Sequence, residues 1–227
     1  EEIERAEAAA ALNEAVTEAK AVSNADGKYT AESYQALQDA IAEAERVASD
    51  SSSTAAQLRA ALAAVESAQK ALKATPRVER GKTYIVSGQY YMVMNVATST
   101  AAGTVTFIKA GNTKRVTVPN YVTLADGKNY NVTIVGANAF IAPKIRTVTI
   151  GANVINLTRG AFTKSKATKV IIKTKLLNKA SVKGCLKKSK VKTVQIKVGT
   201  KKENKSFIKK YKKYFKKANA GRKVTVK

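Results

Sequence analysis

Apolar residues recur at fixed intervals through the middle of the chain, over residues 132–198. A shift of 22 residues relates Val132, Val135 and Phe140 to Val154, Leu157 and Phe162, and it also relates Ile145, Val148 and Ile150 to Ala167, Val170 and Ile172. A further shift of 24 residues leads from Ala167, Val170 and Ile172 to Val191, Val194 and Ile196. Small-plus-large pairs keep the same step at Ala139-Phe140, Ala161-Phe162 and Cys185-Leu186. A period in the twenties is typical of a solenoid, in which stacked repeats share one core. The alternating apolar residues predict inward-facing side chains on stacked parallel strands.

Before the repeats, residues 1–76 carry apolar residues at helical steps of three or four. The expected apolar stripes are Ile3, Leu12, Val16, Ala19 and Val22; Tyr34, Leu37, Ile41, Ala44 and Val47; and Leu58, Leu62, Val65 and Leu72. Polar breaks at residues 24–27 and 50–53 separate three helices, with Thr30 or Ser33 capping the second and Thr54 the third. Short loops between long helices predict an up-down-up three-helix bundle.

This helical region resembles the FIVAR domain, a three-helix unit of many Gram-positive surface proteins. The resemblance rests on the stretches LNEAVTEAKAV, YTAESYQALQDAIAEAERV and LRAALAAVESAQKAL, and it covers about residues 12–72. It implies a spacer or attachment module without catalytic residues. The carboxylates of this region are therefore interpreted as solvated helix faces.

Between the helices and the repeats, strand-forming residues replace the alanine-rich composition. Pro76 disfavours helix in the residue before it, so the third helix should end there and residues 77–81 should form a linker. Short runs with strand character follow at residues 84–86, 90–96, 105–107 and 116–118. We predict that these four runs form a small antiparallel sheet that caps the open end of the solenoid, because an exposed strand edge invites pairing with other chains.

The repeats resemble the BspA-like leucine-rich repeats of bacterial surface proteins over residues 116–198. The stretches VTIVGANAF, VTIGANVINLTRGAF and VIIKTKLL, followed by VKGCL, carry the resemblance. Val and Ile replace most Leu, and asparagines do not recur regularly. The fold implied is α+β and multidomain: a three-helix bundle at residues 1–76, then a short β-rich BspA-like solenoid at residues 82–227 with a β cap. A C-terminal helix and strand complete it.

The C-terminal residues 201–217 have an amphipathic pattern that predicts one helix. Its apolar stripe is Phe207, Ile208, Tyr211, Tyr214 and Phe215, which we expect to pack against the last repeat. Its candidate polyanion-binding residues are Lys209, Lys210, Lys212, Lys213, Lys216 and Lys217, expected to ring the exposed side of that single helix. Residues 224–226 should return as a last strand. BspA-like chains commonly end in such a lysine- and tyrosine-rich helix followed by a strand, so we expect the natural terminus here.

Charge divides the chain at the same place as composition. Residues 1–76 contain 13 acidic and 7 basic residues, whereas residues 77–227 contain 3 acidic and 34 basic ones. Of these 34, 28 are lysine and 6 are arginine. Lysine provides diffuse attraction to anions, while base-edge readout favours arginine, so sequence-specific nucleic-acid binding is disfavoured. Solubility and protection of strand edges are alternative explanations for part of the charge.

Residue types that carry catalysis are nearly absent from the basic region. The chain has no histidine, which excludes a Ser-His-Asp triad and the usual zinc sites. The three carboxylates of the basic region, Glu79, Asp126 and Glu203, lie far apart in sequence. Cys185 takes the place of an alanine in the repeat and is interpreted as a small core residue. We therefore expect a non-enzymatic protein without cofactor or metal.

Three functional classes remain open. The first is a secreted or wall-associated protein of a Gram-positive-type bacterium whose repeat domain binds a host or neighbouring-cell protein or glycan. The second is a wall-attachment module that holds anionic polymers such as teichoic acid or sulfated glycans, and the third is a nucleic-acid binder. No apolar run approaches the ~20 residues needed to span a bilayer. We expect a monomer that is extracellular or associated with the cell wall.

Overall fold

The computed structural model describes all residues from 1 to 227 and contains five helices and two β-sheets. The chain divides into two compact units, Glu1–Pro76 and Arg77–Lys227, each with its own buried apolar cluster. Val78, within the stretch expected to be a linker, is buried in the core of the second unit.

The first unit consists of three helices, each of which contacts the other two: α1 (Glu2–Lys20), α2 (Ala31–Ser49) and α3 (Ala55–Lys70). Leu12, Leu37 and Leu58 are almost fully buried at its centre, and alanines fill many of the remaining inner positions. The predicted apolar positions lie in this core or pack against it with two exceptions, Ile3 and the half-buried Tyr34. Ile3 is 76% exposed, because α1 begins at Glu2 and its first turn lies outside the packed part of the unit.

Backbone caps define where these helices begin. The Thr30 hydroxyl accepts a hydrogen bond from the Ser33 amide, and Thr54 forms a reciprocal capping box with Gln57. The Thr30 amide also donates to the Lys73 carbonyl at 2.8 Å, which ties the start of α2 to the chain just after α3. The two helices therefore run in opposite directions.

The second unit contains eleven strands. They are β1 (Thr83–Val86), β2 (Gln89–Asn95), β3 (Gly103–Lys109), β4 (Arg115–Val118), β5 (Tyr121–Thr123), β6 (Asn129–Val135), β7 (Thr147–Ile150), β8 (Asn156–Leu157), β9 (Lys169–Ile172), β10 (Thr193–Ile196) and β11 (Thr225–Val226). One sheet has the order β1-β2-β3-β6-β5, with β8 paired to β6, and the other has the order β11-β10-β9-β7-β4. A 3-10 turn at Ala180–Val182 and helices α4 (Lys201–Tyr214) and α5 (Lys217–Ala220) complete the unit.

All pairs in the five-stranded sheet are parallel, and their register follows the sequence repeat. Val148 pairs with Val170 and Val170 with Val194, while the isoleucines two residues later pair in the same way. These side chains are at most 3% exposed. The predicted register and inward orientation of these strands are therefore confirmed.

The predicted antiparallel cap is only partly observed. Strands β1, β2 and β3 are antiparallel, but β3 pairs in parallel with β6. The prediction is wrong for residues 116–118, which lie in β4 and pair in parallel with β7. The reason is that Val116 and Val118 share the alternation of Val148 and Ile150, so a parallel register buries both pairs on one face.

Aromatic residues fill the core of the repeats. Phe107, Phe140 and Phe162 stack in sequence, with ring centroids 5.5 and 4.6 Å apart. Cys185 follows Ala161 in the same core column and is fully buried, as expected for a small core residue. Burial raises the pKa of its thiol to about 12, so the thiolate form is disfavoured.

The C-terminal helix is shorter than predicted, since α4 ends at Tyr214 and not at residue 217. Its stripe packs on the repeats as expected, and the Tyr211 hydroxyl donates to the Thr174 carbonyl at 2.8 Å. The helix stops because the chain rejoins the backbone ladder of the repeats: the Leu186 amide donates to the Ala220 carbonyl at 2.9 Å. Ala220 thus takes the core position of Cys185, and the C-terminus forms a shortened last repeat.

Candidate polyanion-binding surface

The positive charge of the second unit is almost entirely uncompensated. Of the five salt bridges in the protein, four lie in Glu1–Pro76 and one, between Lys175 and Glu203, lies in Arg77–Lys227. No acidic residue occurs between Asp126 and Glu203. The hydrogen bond from Lys175, together with those from Thr200, lowers the pKa of Glu203 to about 2. The one carboxylate near the C-terminal lysines is therefore ionised and already paired.

The six candidate lysines do not share one helix. Lys209, Lys210, Lys212 and Lys213 lie on α4. Lys216 precedes α5 and Lys217 begins it, so the expectation of a single lysine-ringed helix is wrong for these two. All six are exposed, because the aromatic residues of α4 occupy its inner face.

Three of the six lysines come together in an open groove of roughly 400 Å³, here called the terminal groove. Its lining consists of Lys212, Phe215, Lys216, Lys217, Lys223 and residues 224–226. The other three candidates do not line it, and the ammonium group of Lys210 instead lies 5.2 Å from the centre of the Phe207 ring. Four ammonium groups with no carboxylate among the lining residues would favour a phosphate or sulfate group.

Lys223 is a groove residue that the sequence did not indicate. It follows Arg222 just before the last strand, and only the return of the chain to the repeat ladder brings it near Lys216 and Lys217. The available signal was the stretch GRK immediately before the strand formers at residues 224–226.

The outward face of the five-stranded sheet offers a different kind of surface, here called the sheet face. One row across paired strands consists of Arg115, Thr147, Lys169, Thr193 and Thr225. A second row, two residues along, includes Thr149, Ile171 and Gln195. The Gln195 side-chain oxygen is buried there without a hydrogen-bond partner. Hydroxyl, amide and cationic groups in regular rows could hydrogen-bond a glycan or an extended polypeptide.

Two carboxylates of the second unit, Asp126 and Glu203, make separate hydrogen bonds. Asp126 accepts a hydrogen bond from the Tyr130 hydroxyl at 2.7 Å, and Glu203 caps α4. No group of three or more histidine, cysteine, aspartate or glutamate side chains is placed to hold a metal ion. No helix combines the length and apolar character that a membrane-spanning segment requires.

No protein-family model matches the chain, and no curated protein matches it. Among solved structures, the pneumococcal vaccine antigen PcpA is 20% identical, with a TM-score of 0.36 over 52% of this chain and 30% of that protein. A leucine-rich repeat protein from Bacteroides capillosus is 19% identical, with a TM-score of 0.34 over 50% of this chain and 71% of its own. The chain thus spans less than a third of the pneumococcal antigen.

Proposed function

We propose that the chain is a non-enzymatic, secreted or cell-surface protein of a Gram-positive-type bacterium and binds its ligand through the repeat domain. In this proposal the second unit is a BspA-like leucine-rich-repeat solenoid and the first is a FIVAR-like spacer. The observation that carries it is the sheet face, where polar side chains recur in register on five parallel strands. A glycan or protein of a host or neighbouring cell is the proposed ligand.

A second candidate function is attachment to anionic cell-wall polymers, such as teichoic acid or sulfated glycans. The observation that favours it is the single salt bridge among 34 basic residues, together with the four lysines of the terminal groove. Polymers of this kind carry closely spaced charges, and lysines bind such charges with little dependence on sequence.

Ionic strength separates the two candidates. The purified chain would be tested against immobilised matrix proteins, neutral glycans and poly(glycerol phosphate) over a salt series. A sheet-face ligand should retain much of its affinity in salt, because hydrogen bonds and buried contacts are screened little. A polyanion bound by Z lysines should lose affinity with a log–log slope of roughly −0.7Z to −0.9Z, by analogy with nucleic acids.

The residues are tested by two variants of the same chain. Thr147→Ala combined with Thr193→Ala should weaken a sheet-face ligand and leave poly(glycerol phosphate) binding unchanged. Replacement of Lys212, Lys216, Lys217 and Lys223 by Gln should flatten the salt slope for the polyanion and leave the sheet-face ligand unaffected. If no ligand in the panel responds to either variant, both candidate functions are wrong.

A further inference from the structure

A column of cations runs across four consecutive repeats, on the turns that lead into the parallel strands. Strand residues Thr147, Lys169, Thr193 and Thr225 lie in one register. The residues three positions before them are Lys144, Lys166, Lys190 and Arg222, all basic. We refer to these four residues, with Lys164 and Lys188 beside them, as the turn ridge.

The backbone holds this ridge in register on both sides. Before the column, the Lys164 amide donates to the Lys188 carbonyl at 3.0 Å. After it, the Lys192 amide donates to the Thr168 carbonyl at 2.8 Å. Arg222 reaches the neighbouring repeat directly, since its Nε donates to the Val191 carbonyl at 2.6 Å. Adjacent parallel rungs lie about 4.8 Å apart, so four rungs place one cation each along roughly 14 Å.

Two buried serines fix the direction of the ridge lysines. Ser165 and Ser189 are almost fully buried, and each side-chain oxygen accepts a hydrogen bond from the amide two residues later, at 3.2 and 3.4 Å. Because the serine side chain turns inward, the lysines before and after it are exposed. The same Lys-Ser-Lys turn thus recurs in two successive repeats, 24 residues apart.

The lysines at these turns do not serve the backbone. Lys164 and Lys188 adopt left-handed conformations, with φ of 59° and 55°, which asparagine or glycine adopts more easily. Elsewhere in the same repeats, the left-handed positions 160 and 184 are glycines. Protection of a strand edge does not explain the lysines either, because β9 and β10 are paired on both sides.

We propose that the turn ridge is a binding track for an unbranched phosphodiester polymer, whose phosphates lie along the column of cations. The track continues at its last rung, since Lys223 follows Arg222 and lines the terminal groove. No aromatic side chain belongs to the column, so it offers no platform on which bases could stack. Such a site recognises the charge and spacing of the phosphates, so its binding does not depend on the order of the monomers in the polymer.

This inference rests on the second candidate function and assigns it a site. The test compares two quadruple variants of the full chain that remove the same charge. The ridge variant replaces Lys144, Lys166, Lys188 and Lys190 with Gln. The control variant replaces Lys82, Lys201, Lys202 and Lys205 with Gln, which are exposed lysines outside the turn ridge, the terminal groove and the six candidate residues of the C-terminus.

Binding to poly(glycerol phosphate) is measured by titration calorimetry over a salt series, and circular dichroism verifies that both variants melt like the wild type. The ridge variant should bind at least about tenfold more weakly at 50 mM salt, with a slope smaller by about 3, since each lost contact removes roughly 0.7 to 0.9 from it. The control variant should lose less than about threefold, because its charges are not at the site.

Equal losses in the two variants would overturn the ridge, because affinity would then follow net charge alone, while the second candidate function would stand. A ridge-dependent loss for a sulfated glycan but not for the phosphate polymer would overturn the assignment to phosphodiesters. If the wild type does not bind the phosphate polymer at low salt, the ridge proposal fails, and if it does not bind a sulfated glycan either, the second candidate function fails with it.

Discussion

The two units of this protein bury their apolar residues by different means. In Glu1–Pro76 most backbone hydrogen bonds are local to each helix, with a few ties such as Thr30 to Lys73 at the helix ends, and buried side chains such as Leu12 pack the helices together. In Arg77–Lys227 the backbone itself connects residues 22 or 24 positions apart, as in the pairing of Val148, Val170 and Val194. A backbone ladder of this kind fixes the register of whole repeats, so the side chains on the turns are free to serve another purpose.

Their surface charges differ in a corresponding way. The helical unit has 13 acidic and 7 basic residues and pairs several of them, as in Arg46 with Glu43 and Lys20 with Glu45. The repeat unit has 34 basic and 3 acidic residues and a single pair. Self-repulsion of this size destabilises a compact domain, and exposed ion pairs would have offset little of it. The repeat unit therefore has a basic surface that pairing within the protein leaves almost entirely uncompensated.

The largest expected effect comes from a charge placed within the ladder. Val170 is 1% exposed and lies between Val148 and Val194. Val170→Lys should destabilise the repeat unit by more than about 4 kcal/mol, because an unpaired buried charge must be desolvated or neutralised. Thermal melting followed by circular dichroism should show loss of the β signal while the helical transition remains.

The neighbouring residue provides the control. Ile171 lies on the same strand and points to the partly exposed sheet face. Ile171→Lys should cost less than about 1 kcal/mol, since the ammonium group can reach water. If Val170→Lys melts like the wild type, or if both variants unfold the repeats equally, the inward register of β9 does not govern stability.

Much of the register of the parallel strands could be predicted from the sequence, because the spacing of apolar residues determines it. The positions of Val148, Val170 and Val194 required only a repeat of fixed length. The partner of β4 and the end of α4 could not be found in this way. Both depend on pairings between distant segments, β4 with β7 and Ala220 with Leu186. A short apolar run does not indicate which distant segment it will pair with.

The candidate site shows the same limit. Composition identified the C-terminal lysines, but a helical pattern extended through residue 217 placed all six on one surface. The terminal groove forms only because the chain leaves the helix at Phe215 and brings Lys223 beside Lys216. The turn ridge could not be predicted either, because the alignment of its lysines follows from the register of the paired strands that come after them.

The next largest effect concerns two helix caps with the same chemistry in different units. Thr54 forms a capping box with Gln57 at the start of α3, and Thr200 forms one with Glu203 at the start of α4. Replacement of either threonine by Ala should cost about 1 kcal/mol, because one amide at the helix start loses its partner. Chemical denaturation with separate helical and β probes should assign the Thr54→Ala loss to the first unit and the Thr200→Ala loss to the second. A loss that appears in both transitions for either variant would contradict separate units.

A smaller effect is expected from acid. Hydrogen bonds from Lys175 and Thr200 lower the pKa of Glu203 to about 2 from its ordinary value of 4.5. A carboxyl group with a depressed pKa stabilises the folded state above its unfolded pKa, and this stabilisation is lost as the pH falls from about 4.5 towards 2. Glu203→Gln should therefore lower the melting temperature of the repeat unit slightly at pH 7 and remove part of its decline on acidification. The matched variant Glu43→Gln, in the helical unit, should leave the β transition unchanged at every pH. An identical pH profile for wild type and Glu203→Gln would show that this exposed pair contributes nothing.

The smallest expected effect tests the comparison most directly, because the prediction is no change. We propose that each unit folds on its own, since Glu1–Pro76 has a closed apolar cluster of ten buried residues and its own caps. A fragment of residues 1–76 should then be a helical monomer with one cooperative melt, at the temperature of the helical transition in the full chain. Leu37→Ala in the fragment serves as a positive control and should cost about 2 to 5 kcal/mol, because it opens a cavity at a fully buried position. A fragment that is disordered, or that melts without cooperativity, would mean that the thin alanine-rich core needs the rest of the chain. The two units would then be one cooperative structure despite their different construction.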